Sequence, residues 1–236
     1  MNVKNTIEFK LTGRSALFTD PITKIGGEKF SYHIPTYEAI KGVLKSIYWK
    51  PTFIWIVDEV RVIKPLQTQT KGTKPLVWNG GNSLAIYTFL NDVEYQVKAH
   101  FEWNMHRPEL EKDRISGKHF NIAQRVLEKG GRQDIFLGTR DCQGYVEPCV
   151  FGEGAGAYDQ ISELGFGLMF HSFGYPDETG KDELHCQLWS AVMRSGVLSY
   201  PRPEDCTATR FIRKMTPKQF NLNENILCVE QEEGAL

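Results

Sequence analysis

A lysine and a histidine stand side by side at Lys118 and His119, directly after Ser116 and Gly117. Phe120, Ala123 and Leu127 then mark a helical stripe that Gly130-Gly131 closes. Gly117 lets a ligand approach the backbone, Ser116 is suited to cap the helix, and the free N–H groups of a first turn favour a phosphate. Histidine changes charge near neutral pH, and lysine is a compact charge for a phosphorane oxyanion. Together they could cleave RNA without a metal by letting a ribose 2′-OH attack the adjacent phosphate. A solvated surface helix carries the same dipeptide, and a helix start lowers histidine basicity unless bound phosphate offsets it. Both readings stand on these residues alone. Tyr48, near the end of an earlier helix, reads by itself as an amphipathic core residue.

Other chemistries fail on spacing. Between Gly174 and Gly180-Lys181 lie five residues where a phosphate loop needs four, and Asp182 follows where Ser or Thr is required. The GEGAG run at 152–156 lacks dinucleotide-loop spacing and reads as a turn. Glu102 and His106 have metal-ligand spacing only on a helix, and their segment reads as a strand, so no metal site is expected. There is no G-x-S-x-G, and no cysteine sits in a nucleophile setting.

The elements that must position these groups follow from periodicity. Residues 5–12 alternate as a half-buried strand, with Ile7, Phe9 and Leu11 on one side. A long basic loop through Arg14, Lys24 and Lys29 follows. Thr36 can cap a helix with the stripe Tyr37, Ile40, Leu44 and Ile47, stopped by Pro51, which leaves Tyr48 in its last turn. Residues 53–57 and 60–63 form a β-branched strand run. The Thr/Gly/Lys/Pro-rich segment 65–82 reads as an extended loop or hairpin end. Residues 84–90 and 93–103 read as two strands separated at Asn91-Asp92. After the second helix, residues 134–137 supply another strand. The order β-α-β, paired strands, α-β is ferredoxin-like, the RNA-recognition-motif topology. Beyond Arg140, strand-like runs at 146–151, 164–173 and 184–193 predict a small antiparallel sheet, and no element is predicted from Pro201 onward. The fold class expected is α+β, with a ferredoxin-like domain over 1–141 and a small antiparallel β-sheet domain over 142–236.

Composition sets the surroundings. The chain has 236 residues, 41% hydrophobic and 24% charged, which is an ordinary folding composition. Its net charge of −1 conceals a split: residues 1–140 hold 21 basic and 14 acidic side chains, and residues 141–236 hold 7 and 15. The first part is therefore expected to face a polyanion, and the second solvent or a protein. Aromatic residues, at 12%, suffice to stack bases on an open sheet face, although most must be core. Five cysteines with no C-x-x-C pair indicate neither a disulfide set nor a structural zinc. The opening residues have no signal-peptide stretch and no window is a membrane span, so a cytoplasmic protein is expected.

The segment from FTDPITKIGG through VRVIKP, and then RISGKHFNIAQRVLEKGGRQDIFLGTRDCQGYVEP, resembles the CRISPR-associated repeat-processing endoribonucleases of subtype I-C (Dvulg). The resemblance spans nearly the whole chain and is loosest after about residue 200. It implies metal-independent cleavage of CRISPR precursor RNA beside the repeat hairpin, retention of the 5′ handle, and no cofactor. The family's Tyr and Lys-His pair fall on Tyr48, Lys118 and His119. It further implies that the enzyme remains in the type I-C effector complex, against the large subunit and the first backbone subunit, with double-stranded DNA as an open further partner.

On this reading His119 transfers a proton, Lys118 stabilises the phosphorane and Tyr48 positions or activates the 2′-OH. Arg14, Lys24, Lys29, Lys45, Arg114 and Arg140 are the expected RNA contacts. Two rivals stand beside it: a non-catalytic RNA-handle-binding subunit, and a small-molecule enzyme on the same scaffold.

Overall fold

The computed structural model describes residues 5–25, 27–115 and 117–217. Its first strand, β1 (Thr6–Ala16), buries Ile7, Phe9 and Leu11. A single turn, α1 (Pro21–Lys24), lies in the basic loop, and α2 (Tyr37–Ile47) follows. The Thr36 hydroxyl accepts from the Ala39 N–H at 3.2 Å, satisfying one of the donors that a helix start leaves open. One face of α2 buries Tyr37, Ile40, Val43, Leu44 and Ile47, each large apolar side chain contributing roughly 1.5–3 kcal/mol.

In β2 (Phe53–Val62) the buried set Phe53, Trp55, Val57 resumes at Val60 and Val62. A bulge between Val57 and Glu59 takes one residue out of step, so the two apolar runs form one strand. A hairpin joins β3 (Thr68–Thr73) to β4 (Ala85–Trp103). The expected break at Asn91-Asp92 is corrected. β4 runs straight through it, paired with β1 at both Ser15↔Asn91 and Gly13↔Val93, while Asp92 takes a φ of +50°. Asp tolerates that region in a turn or in a kinked strand, and here the partner strand decides.

After a 3-10 helix at Pro108–Asp113 come α3 (Lys118–Leu127), β5 (Ile135–Phe136) and β6 (Gln143–Pro148). The last part holds β7 (Leu164–Gly174), α4 (Pro176–Thr179), β8 (Glu183–Arg194), β9 (Val197–Ser199) and the unanticipated β10 (Ala208–Lys214). Among the described residues, ten strands make one antiparallel sheet, ordered β10-β8-β9-β2-β4-β1-β6-β5, with β3 on β4 and β7 on β8. Where a separate small sheet was expected for 142–236, β6 pairs with β1 and β9 with β2, because both strands of the first half offer unpaired edges.

Helices α2 and α3 pack against one face of this sheet. The other face is polar rather than aromatic, carrying Glu8, Lys10, Gln96, Lys98 and His100. Residues 151–159, including the GEGAG turn, lie across it. Arg61 donates to the carbonyls of Glu153 (3.2 Å) and Gly154 (2.8 Å) and pairs with Asp159 at 2.8 Å. Gln96 donates to the Glu153 carbonyl and accepts from the Gly152 N–H. No helix among the described residues is long and apolar enough to cross a membrane.

Candidate active site

The chain leaves α2 at Tyr48, whose N–H still bonds the Leu44 carbonyl at 2.9 Å while its backbone is already extended. The Tyr48 carbonyl accepts from the Trp55 indole at 2.7 Å, which locks the residue against β2. The ring therefore turns inward, toward the start of α3.

That start is set by Gly117 at φ +75°, a left-handed conformation costly for residues with a Cβ. Gly117 is the cap residue and offers no side chain to the helix; Ser116, the expected cap, lies outside the described residues. The buried stripe of α3 is His119, Ala123 and Leu127. Phe120, the expected first member, is only half-buried, because the strict four-residue spacing selects His119. Consequently His119 is 1% exposed, inside a wall of Phe53, Phe101 and Trp103.

Both ring nitrogens of His119 are engaged. Nε2 lies 2.8 Å from the Asp113 carbonyl oxygen, which can only accept, so Nε2 carries the proton. In the tautomer with its proton on Nε2, Nδ1 is the acceptor for the Tyr48 hydroxyl at 2.9 Å. The result is a directional relay from Tyr48 through His119 to Asp113. Burial raises the Tyr48 pKa, the Asp113 charge adds to this, and Arg132 opposes it.

The Asp113 carboxylate ties the remaining groups together. It pairs with the Lys118 ammonium and accepts from the Thr52 hydroxyl at 2.7 Å, and these bonds hold its pKa down to about 2. Its other contact is His119 Nε2 at 3.4 Å. Lys118 stays partly exposed on the solvent side. Across the site, Gly131 at φ +104° lets the Arg132 N–H reach the carbonyls of Ser46 and Ile47, each at 3.2 Å. Arg132 is exposed beside Tyr48, with no ion pair among the described residues. Asp113, Thr52 and Arg132 are missed by sequence reasoning. The available signals were the acidic end of the PELEKD run and the Gly-Gly-Arg turn.

The structure brings Tyr48, Lys118 and His119 together, and the expected RNA contacts scatter around them. Lys45 lies one turn before Tyr48 and is paired with Glu178 at 3.2 Å. Arg114 donates to the carbonyls of Asn104 (2.9 Å) and Arg107 (2.8 Å), a loop clamp beside Asp113. Arg140 lies over the Phe136 ring. Lys29 lies over Tyr87, and its carbonyl bonds Thr88 at the far end of β4; Arg14 and Lys24 are exposed. From Thr88 to Phe101, which touches His119, is 13 residues of strand, on the order of 40 Å. Glu102 pairs with Arg202, and His106 lies in the following loop. Among the described residues no three His, Cys, Asp or Glu side chains gather as a metal site.

Comparison with known proteins finds relatives of the chain as a whole. A family model described as CRISPR-associated protein (Cas_Cas5) matches residues 6–201. The CRISPR pre-crRNA endoribonuclease Cas5d of Thermus thermophilus is 28% identical over 188 residues, covering 75% of this chain and 77% of that protein. A crystal structure of a CRISPR-associated protein superposes with a TM-score of 0.76 at 34% identity, over 89% of this chain and 98% of the other. A functionally uncharacterized protein, SMU1763c from Streptococcus mutans, superposes with a TM-score of 0.72 at 35% identity, over 87% and 96%.

Proposed function

The chain belongs to the Cas5 family of CRISPR-associated proteins, and from that premise we propose that it cleaves CRISPR precursor RNA at the repeat hairpin without a metal and keeps the 5′ handle. One observation carries the chemistry: the hydrogen bond from Tyr48 to His119 Nδ1, oriented by the Asp113 carbonyl. In this mechanism the ribose 2′-OH gives its proton to the Tyr48 oxygen as the Tyr48 proton passes to Nδ1. The resulting imidazolium is held by Asp113. The 2′-oxygen attacks phosphorus, Lys118 and Arg132 neutralise the non-bridging oxygens, and the 5′-oxygen leaves with a proton from water, whose hydroxide then takes the proton back from the His119 imidazolium through Tyr48. The products are a 2′,3′-cyclic phosphate and a 5′-hydroxyl. Because Tyr48 and His119 are buried, the site must open for RNA to reach them.

The strand order β6-β1-β4-β2, with α2 and α3 on one face, supports reading 1–141, completed by β6, as the ferredoxin-like catalytic part. The acidic part, 142–236, then faces the large and backbone subunits of a type I-C effector complex in the cytoplasm. Burial of His119 favours one alternative, a non-catalytic subunit that only holds the RNA handle. Incubating the purified protein with labelled repeat RNA in EDTA separates them. A defined cut with a cyclic-phosphate end is expected; intact RNA under tight binding supports the alternative, and cleavage only on adding Mg²⁺ or Mn²⁺ refutes metal independence.

A further inference from the structure

Tyr48 has φ −158° and ψ 129°. In an extended backbone, consecutive side chains point to opposite sides, so as Tyr48 enters the core Trp49 is delivered to the outside. Trp49 is 48% exposed, and no ring stacks on it among the described residues. It is not merely a surface residue, because it lines a cleft of about 1050 Å³ between the end of α2, the loop after β4 and α4. Phe53 forms the back wall. Its ring is 5.6 Å from that of Tyr48 and 5.3 Å from that of His119, so one side chain separates the cleft from the relay.

The charges of the cleft are already matched. Lys45 pairs with Glu178 at 3.2 Å, and Arg107 pairs with Asp177. Phosphate would find little uncompensated charge here, whereas across the site Arg132 has no ion pair among the described residues and Lys118, shared with Asp113, stays partly exposed. What remains is a flat aromatic face, with Tyr175 and His106 also lining the cleft, in a space large enough to admit a nucleotide. Every nucleobase presents a π face, and stacking on Trp needs no particular sequence.

We propose that this cleft is a nucleobase subsite, in which the base flanking the scissile phosphate stacks on Trp49 while the phosphate lies at Lys118 and Arg132. This rests on the reading of Tyr48 and His119 as an RNA-cleaving centre.

The test compares wild type, Trp49→Phe and Trp49→Leu in single-turnover titrations with the repeat RNA, intact or abasic at each nucleotide flanking the cut. Stacking on an aromatic ring predicts that Trp49→Leu weakens half-saturation by about tenfold, roughly 5- to 100-fold, while Trp49→Phe stays within about threefold. One abasic position should cost wild type a similar factor and cost Trp49→Leu nothing further. Melting temperatures of all three should agree, because the side chain is exposed. If Trp49→Leu matches wild type, or the abasic penalty is the same in both proteins, the subsite is refuted while cleavage itself stands. If Trp49→Leu keeps its RNA affinity but loses binding to the purified large subunit, the cleft holds a protein side chain and the proposal fails. Wild type that cuts no repeat RNA overturns the catalytic reading and this inference together.

Discussion

Replacing Tyr48 by phenylalanine removes one oxygen and leaves the ring beside Phe53 and His119 in place. The proton on His119 Nε2 is fixed by the Asp113 carbonyl at 2.8 Å, so in the neutral ring Nδ1 can only accept. In Tyr48→Phe, Nδ1 is a buried acceptor with no partner, which costs about 1–3 kcal/mol. Against a typical total stability of about 5–15 kcal/mol the variant stays folded, with a melting temperature lower by roughly 2–4 °C per kcal/mol. If the hydroxyl relays the 2′-OH proton, single-turnover cleavage at saturating enzyme should fall roughly 10²- to 10⁴-fold, far more than the stability change predicts. His119→Gln should fall similarly, and the double variant should be little worse than the worse single, since both groups serve one proton path. The assays are denaturant unfolding and cleavage of labelled repeat RNA. Cleavage within a few-fold of wild type, accompanied by the expected loss of stability, would make the Tyr48–His119 bond a packing contact and end the relay mechanism.

Three further outcomes are expected. Repeat RNA with a 2′-deoxy sugar just 5′ of the scissile phosphate should bind normally and remain intact, because the attacking atom is gone and the phosphates are not; normal cutting would require water as the nucleophile. Replacing Arg14, Lys24 and Lys29 together by alanine should weaken RNA binding and flatten its salt dependence while leaving the saturated cleavage rate unchanged, since these residues lie at the far end of β4 from the relay; unchanged affinity in filter binding removes the basic loop from the RNA path. Burial lowers the His171 pKa from 6.5 to about 4. The unfolded chain therefore takes up that proton first, and stability should drop as pH falls from about 6.5 to about 4, by up to about 3 kcal/mol. His100, raised by Asp58, contributes in the opposite sense and loses its contribution as pH rises through its folded pKa. Urea unfolding at pH 7.5 and 5 isolates His171 as the pH dependence absent from His171→Gln, in which the amide can still donate to the Pro201 carbonyl; an identical dependence in both proteins refutes the assignment.

What is local in this chain can be read from its letters. The Thr36 cap, the 37–47 stripe and Pro51 define α2 because helix signals act within a few residues of one another. The meeting of Tyr48 with Lys118 and His119 needs only the packing of two helices on one sheet face. Other features depend on distant partners. His119 reads as a surface residue beside the more apolar Phe120 until the aromatic wall from β2 and β4 supplies a place for its ring. Asp113 belongs to a charged run that looks like solvated surface, and its role comes from Thr52, Lys118 and His119 converging on it. Asn91-Asp92 carries a turn signal that β1 overrides by pairing across it, and β10 is an edge strand defined by β8, not by any alternation of its own.

The Arg61 clamp ties the start of the chain to its later half in time as well as in space. Arg61 and Asp159 are 98 positions apart, so on a ribosome the guanidinium emerges long before its carboxylate and the carbonyls at 153 and 154. Until then β2 has one edge unpaired and a cation on its polar face with only Gln96 for company. Closing so long a loop is slow relative to local helix formation. The helices that carry Tyr48 and His119 can therefore dock early, while the polar side of the sheet is sealed only near the end of synthesis. A chain interrupted at residue 141 would hold every residue of the relay and still lack β6, β9 and the clamp. It would expose two sheet edges to any neighbouring strand, so aggregation rather than altered catalysis is the expected fate of such a fragment.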